Sequence, residues 1–421
     1  MAQALMNSVM NKGSTSFFTK FHNGILTIIN QQINITPTRN FSNIKSKKPV
    51  HFNEDQISKS VFISQSNDIF TNLALEDWIY KNYDFTNHHI MLLWRNSPCV
   101  VIGRHQNPWL EANFGPINEL GIQVARRNSG GGTVYHDNGN LNLTFFTPTE
   151  RYNRKQNLEL IGSALNREWG LKTEINSRED IVIDGMYKIS GTASKLGRPN
   201  AYHHCTVLVD VNKNVLSEAL HKYDKGIETN ATVSTPSPIL NLSDIDSSIN
   251  VERLIAAVGW EFLRTKAISK EDGGWELVGK QKGFQMINPT NDWFPGLEKI
   301  RSEFSSWDWR FGKTPDFHVS RSFSLPSRIG IENVKAEDEE LRITVDVVKG
   351  VVEDVTLKIP PSLMLSKNFV GDIKAMTSIR GRRFTDDALE ELNQCFGESN
   401  PLKDEGKRFV ADCVRQVMAS V

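Results

Sequence analysis

The sequence predicts an α+β protein in two unequal parts. Three observations carry this. Between Val61 and Lys266, short apolar runs of strand length alternate with stretches of helical periodicity. Residues 287–296, INPTNDWFPG, then break the pattern with prolines, glycine and polar residues. Beyond the break, Leu341–Val348 and Val351–Leu357 read as strands about a Lys349-Gly350 turn. Helices near Asp386–Cys395 and Asp404–Met418 follow. A stretch of roughly 120 residues with strands first and helices after is enough for a small α+β domain. The expected bounds are 55–290 and 295–421.

Within the large part, Val61-Phe62-Ile63 is a short strand. Asn67 or Asp68 caps a helix that carries Ile69, Phe70, Leu73, Ala74 and Trp78 at helical spacing. Ile90–Trp94 and Cys99–Ile102 are buried strands separated by Asn96-Ser97-Pro98. After the polar loop Gly103–Asn107, Pro108 opens a helix running to about Leu120, stopped by Gly121. Gln156–Trp169 is an amphipathic helix. Asp180–Ile183 and Tyr187–Ile189 form a hairpin about Asp184-Gly185. Tyr202–Val209 is a further strand, and a helix lies near Leu216–His221. The Thr-rich segment 225–237 reads as a surface loop able to close over a site. Val251–Lys266 is a helix with Leu254, Ile255, Val258 and Phe262 on one face.

Lysine plus arginine and aspartate plus glutamate each number 49, but the charge is unevenly spread. Residues 1–53 hold six basic residues and no acidic one, which leaves the remainder with a net charge of −6. A basic, acid-free N-terminus bearing Ser and Thr predicts a mitochondrial presequence, with Thr38-Arg39-Asn40-Phe41-Ser42 resembling a processing site and residues 1–41 removed. An acidic body argues against nucleic acid as partner. No apolar run is long enough to span a membrane. The four cysteines (Cys99, Cys205, Cys395, Cys413) lie far apart without a C-x-x-C pair, so neither a disulfide framework nor a zinc site is indicated.

The stretch Arg126–Asn142, RRNSGGGTVYHDNGNLN, organises the chain. Two arginines end a strand, three glycines follow, and Thr133-Val134-Tyr135 begins another strand, with Asn138-Gly139 as a hairpin signal. Glycines between strands let backbone approach a ligand and leave N–H groups for an anion. Taken alone, the run equally fits a glycine-rich hairpin with solvated arginines. It is neither a P-loop nor a dinucleotide fingerprint, because no G-K-[ST] follows and strand rather than helix succeeds the glycines. Lys188 sits inside an apolar strand and runs into Ser190-Gly191-Thr192-Ala193, whose small side chains leave room for a ligand. A cation placed where oxyanion charge develops would suit acyl transfer. Adjacent strand residues point to opposite faces, so at most one of His203 and His204 can face a site.

Together these segments resemble the lipoate–protein ligase and lipoyltransferase family. The matching residues are Asn72-Leu73-Ala74-Leu75-Glu76, Gly103–Asn107, Arg126–Asn142, Lys188–Ala193 and Tyr202-His203-His204. Trp307-Asp308-Trp309, Gly312-Lys313-Thr314-Pro315 and Phe317 follow in the same order. The variants TVYHD, KISGTASK and AYHHCT are most similar to the animal mitochondrial branch. Bacterial ligases usually carry Gly where this chain has Cys205.

The resemblance implies the fold shared with biotin protein ligases: a large mixed-sheet catalytic domain with a small α+β accessory domain. It implies transfer of a lipoyl group to a specific lysine. Lys188 would contact both acyl carbonyl and phosphate. Arg127, Ser129, Gly131, Gly132 and Tyr135 would line the glycine-rich side. Arg178 and Thr206 would flank the adenylate, and Thr235 and Ser237 would reach the nucleotide. The acyl tunnel is expected near Leu92. No metal ligand and no tightly bound cofactor are implied. The donor would be lipoyl-AMP or lipoyl-GMP, or a lipoylated H protein, with ATP and magnesium entering if free lipoate is activated. The acceptors would be lipoyl domains of 2-oxo-acid dehydrogenase acyltransferase subunits and the glycine-cleavage H protein. A monomer in the mitochondrial matrix is expected. The alternatives are a full ligase, a thioester-dependent octanoyl or lipoyl transferase using Cys205, and a non-catalytic scaffold that binds lipoyl carriers.

Overall fold

The computed structural model describes residues 57–264, 282–326, 340–360, 363, 372–374, 380–384 and 404–419. The expected helix near Asp386–Cys395 and the expected presequence lie outside these residues.

Strand β1 (Ser58–Ser64) leads into α1 (Ile69–Asn82). Asp68 caps that helix, its Oδ2 accepting from Thr71 N–H at 2.9 Å. The chain continues through β2 (His88–Trp94) and β3 (Cys99–Ile102) to α2 (Pro108–Glu111) and α3 (Phe114–Glu119). The single helix expected over 108–120 is therefore two. Asn113 stands between them with its N–H on the Ala219 carbonyl, and Gly121 ends the pair at φ +63°. Next come β4 (Gln123–Arg126), β5 (Val134–His136), β6 (Asn140–Pro148), α4 (Arg154–Trp169) and β7 (Glu174–Ile175). The hairpin β8 (Ile181–Ile183) and β9 (Tyr187–Lys188) turns at Asp184 and Gly185, both at positive φ. Then follow β10 (Ser190–Leu196), β11 (Asn200–Leu208), α5 (Lys213–Ala219), β12 (Ile227–Thr229), α6 (Leu242–Ile245), α7 (Val251–Leu263) and β13 (Gly283–Ile287).

A six-stranded mixed sheet, β10-β11-β6-β2-β1-β13, is buried on both faces. On one face Met91, Leu93, Leu143, Phe145 and Cys205 pack against Leu158, Ile161 and Leu165 of α4 and Leu254, Val258 and Phe262 of α7. On the other, Ile90, Leu92, Trp94, Phe146 and Tyr202 pack against α1. Each large side chain buried this way is worth about 1.5–3 kcal/mol, which is why these strands read as apolar runs without clean alternation. Helices α8 (Leu297–Ser305) and α9 (Trp307–Arg310) share the second core through Leu297, Phe304 and Trp309.

The smaller sheet, β12-β14-β15-β16-β17, comprises β14 (Phe317–Ser324), β15 (Glu340–Val348), β16 (Val351–Lys358) and β17 (Asp372–Lys374), with β12 as an edge. Val345, Val347 and Val355 pack with Val410, Val414 and Val417 of α10 (Asp404–Ala419), and Trp109 of α2 enters this core. Segment 225–237 is thus not wholly loop. Its residues Ile227–Thr229 pair antiparallel with Phe317–Val319.

The expected Asn138-Gly139 hairpin is also corrected. β5 pairs with β3, and β3 with β4, in a separate three-stranded sheet, while β6 joins the large one. Gly139 hands the chain between the two sheets. Its carbonyl accepts from Val209 and Asp210 N–H at 3.0 Å each, and a Cβ there would lie 1.9 Å from the Asp210 carbonyl oxygen.

Candidate active site

Three pieces of backbone meet at one end of the large sheet: the glycine loop before β5, the hairpin β8–β9 with the start of β10, and segment 231–237. Between them lies a cavity of about 290 Å³ lined by Arg127, Gly132, Arg154, Arg178, Asp180, Lys188, Thr206 and Ser234, among others.

Lys188 is held by its backbone on both sides. Its N–H donates to the Pro238 carbonyl (2.9 Å) and its carbonyl accepts from Leu240 N–H (3.1 Å). The ammonium lies 2.9 Å from Asp180 Oδ1 and is about a quarter exposed. Arg178 Nε stands 3.9 Å from the other Asp180 oxygen, and Arg178 Nη2 donates to Ser237 Oγ at 2.6 Å. Arg154 donates to Glu179 (2.5 Å) and to Ser194 Oγ (3.1 Å). Gly191 keeps the floor open. A Cβ there would sit 3.2 Å from Thr206 Oγ1 and 3.9 Å from Lys188 Cε. Four cations and one carboxylate among the lining residues make a site suited to an anion.

The two arginines of the glycine stretch are not solvated. Arg127 is buried and donates to the carbonyls of Val101, Gly130 and Gly132 at 3.1, 2.7 and 2.6 Å. Burial lowers its pKa to about 10, so it stays charged at neutral pH. In a trans peptide the C=O and the next N–H point oppositely. By gathering those carbonyls, Arg127 turns the amides of Gly131 and Thr133 away from itself. Arg126 is buried, and among the described residues no carboxylate pairs with it. It donates to the carbonyls of Gly103, Arg104, Gln106, Trp309 and Arg310 and to Thr314 Oγ1, tying the Trp307–Pro315 segment to the loop before α2. The glycines answer close approach: a Cβ on Gly103 would lie 2.1 Å from the Gly131 carbonyl oxygen, and Gly131 sits at φ +90°.

Of the residues expected to bind, Lys188, Arg127, Gly132, Arg178, Thr206 and Thr235 line the cavity, and Ser237 joins its rim through Arg178. Ser129 and Gly131 lie behind it in the loop. The Ser129 carbonyl accepts from Arg104 N–H at 2.9 Å. Tyr135 does not reach the cavity: β5 turns its ring to the opposite face, into a core with Val100, Ile102 and Ile117. Burial pushes its phenol to about 12. Leu92 is core packing against α1, not cavity wall. The histidine alternation holds. His204 lines the cavity with Nδ1 2.9 Å from Glu76 Oε1, an oxygen that also accepts from Thr144 Oγ1. His203 turns away and stacks on Phe145. Cys205 faces the apolar core with no exposure, and burial drives its thiol far above the ordinary range. Both access and ionisation therefore disfavour a thioester route through Cys205.

Arg154, Asp180 and Ser234 were not singled out by the sequence. Asp180 was the most legible of them, because the hairpin register sets Val182 opposite Lys188 and so brings Asp180 close. Arg154 begins a helix that reads as surface, and nothing local marks it.

A family model, the lipoyl protein ligase A/B catalytic domain, matches residues 68–263. The mitochondrial lipoyl amidotransferase LIPT1 of Mus musculus is 42% identical over 317 residues, covering 73% of this chain and 80% of that protein. The chain belongs to the lipoyl protein ligase A/B family. The human LIPT1 is likewise 42% identical, over 70% of this chain and 75% of its own length. The lipoate-protein ligase A of Bdellovibrio bacteriovorus is 31% identical over 76% and 92%. Among solved structures, Plasmodium falciparum LipL1 in complex with lipoate superposes with a TM-score of 0.51 at 25% identity, covering 85% of this chain and all of that one. This family member is a mitochondrial enzyme, a lipoyltransferase. Its fold is that of the lipoate ligases, a large mixed sheet with α+β layers.

Proposed function

We propose that the enzyme takes its lipoyl group from an activated donor, lipoyl-AMP or lipoyl-GMP or a lipoylated H protein. It passes that group to a lysine on lipoyl domains of 2-oxo-acid dehydrogenase acyltransferase subunits and on the H protein. The observation that carries this is the Lys188 ammonium in a cavity ringed by Arg127, Arg154 and Arg178. A nucleotide donor's phosphate lies among the arginines, and Lys188 bridges it to the acyl carbonyl. The acceptor amine attacks that carbonyl. With a nucleotide donor a C–N bond forms, the carbonyl carbon's bond to the phosphate oxygen breaks, a proton leaves the amine, and the nucleoside monophosphate departs. With the lipoylated H protein the carbonyl carbon's amide bond to the donor lysine nitrogen breaks instead, and that nitrogen takes the proton and leaves as a free lysine amine. Lys188 stabilises the oxyanion of the tetrahedral intermediate, and the arginines hold the leaving phosphate. Thr206, Thr235 and Ser237 serve the nucleotide, while Ser129 and Gly131 shape the loop behind it.

Residues 55–290 act as the catalytic domain and 295–421 as the accessory domain, with residues 297–310 docked on α1. The enzyme works as a monomer in the matrix. Magnesium enters only with ATP. Mass spectrometry of an apo lipoyl domain tests the reading with three donors: lipoate plus ATP, lipoyl-AMP, and lipoylated H protein. A lipoyl mass shift from the second or third but not the first is expected. A shift from lipoate plus ATP makes the enzyme a self-sufficient ligase. No shift from any donor refutes the proposal.

A further inference from the structure

The loop motif Gly103–Asn107 contributes none of the cavity-lining residues named above, yet Gln106 within it is wholly buried. Its side-chain oxygen accepts from Gly103 N–H and from Thr133 Oγ1, both at 2.8 Å. Its nitrogen donates to the Thr232 carbonyl (3.3 Å) and to Ser234 Oγ (2.9 Å). The amide's orientation is unambiguous, because Gly103 N–H can only donate and the Thr232 carbonyl can only accept. Ser234 Oγ therefore accepts from Gln106. It also accepts from Thr133 N–H at 2.7 Å. A hydroxyl has two acceptor positions and one hydrogen. With both positions filled, the Ser234 hydrogen must be given elsewhere, and Ser234 lines the cavity. The backbone of this segment is fixed from the same side. Ser234 N–H donates to Glu111 Oε1 (3.0 Å), and Thr232 N–H donates to the His105 carbonyl (3.1 Å).

We propose that Gln106 is a positioning residue: it clamps segment 232–234 to the glycine loop and makes Ser234 an obligate hydrogen-bond donor to a phosphate oxygen of the acyl donor. This rests on the nucleotide-bearing donor of the preceding section. Gln106 touches no reacting atom, so its loss should weaken donor binding rather than slow the chemistry.

Gln106→Glu keeps the two accepting contacts and replaces the two donating ones with a carboxylate oxygen. The Ser234 hydrogen then turns to that oxygen and away from the cavity. Ser234→Ala removes the same donation directly. With lipoyl-AMP as donor, each variant should raise KM about tenfold, the worth of one hydrogen bond to a charged group, with kcat within twofold. The double variant should be no worse than the more severe single one, since both remove one contact. In donor-free enzyme, hydrogen exchange across residues 231–235 should speed up about tenfold or more in Gln106→Glu. An unchanged KM in Ser234→Ala, additive losses in the double variant, or unchanged exchange in Gln106→Glu overturns the proposal. If wild type fails to use lipoyl-AMP, the donor reading falls instead, and the exchange measurement still decides the clamp. Should Gln106→Glu not fold, the KM of Ser234→Ala alone decides.

Discussion

Replacing Lys188 by alanine removes one cation from a cavity that keeps three arginines, so its effects on chemistry and on folding can be worked out separately. Removing one preorganised donor from an oxyanion costs about 3–4 kcal/mol, or 10²–10³ in kcat. Lys188 is read as touching both the carbonyl and the phosphate, which places the loss at the upper end of that range. The folding cost is smaller. The Lys188–Asp180 pair is 2.9 Å long, but the lysine is about a quarter exposed. Arg178 stays 3.9 Å from the same carboxylate. A pair so screened is worth about 1 kcal/mol, or roughly 1 °C in Tm for a chain of this size. The assay is single-turnover transfer from lipoyl-AMP to an apo lipoyl domain, followed by intact mass, beside a thermal melt of each variant. Lys188→Ala with Asp180→Asn controls for the stranded carboxylate and should restore the Tm without restoring transfer. Turnover of Lys188→Ala within tenfold of wild type would refute the role given to this lysine.

Three further outcomes are expected. Cys205→Ser should retain transfer while losing about 1–3 kcal/mol of stability in a urea titration, because it places an unsatisfied hydroxyl in an apolar core; loss of turnover in folded protein would reinstate the thiol. Gly103→Ala should push the Gly131 carbonyl away, costing about 1–3 kcal/mol and raising the donor KM, since its Cβ would lie 2.1 Å from that oxygen; wild-type behaviour in both would show the contact to be soft. Acid should destabilise the protein in a definite window. Burial lowers His88 and His89 to about 4 and His203 to about 3, against 6.5 unfolded. The unfolded chain then binds protons first, so the stability these residues contribute is present above pH 6.5 and is lost as the pH falls toward 4. Urea midpoints at pH 7 and pH 5 measure this, and His203→Gln should flatten the dependence; equal midpoints in wild type would contradict it.

Much was legible in the sequence because it depends on neighbours along the chain. The cap at Asp68, the turn at Asp184-Gly185 and the opposite facing of His203 and His204 follow from backbone periods and turn chemistry alone. The glycine loop and Lys188 could be linked to one chemistry because small residues at both places leave space for the same ligand. What stayed hidden depends on partners far away in sequence. Whether β5 and β6 form a hairpin is decided by β3 and β11, which compete for their edges. Which side Tyr135 faces follows from that choice, because sheet membership sets which face of the strand meets the cavity. Arg126 and Arg127 look like solvated charge until the carbonyls of Val101, Gly103 and Trp309 surround them. Residues Ile227–Thr229 look like free loop until the edge of β14, some ninety positions on, offers its hydrogen bonds. The sequence by itself determined which local conformations and which reactive groups this chain has. Only the tertiary structure decided their company, because a buried polar group takes whichever partner packing brings within hydrogen-bond reach, and packing is set by contacts between distant segments.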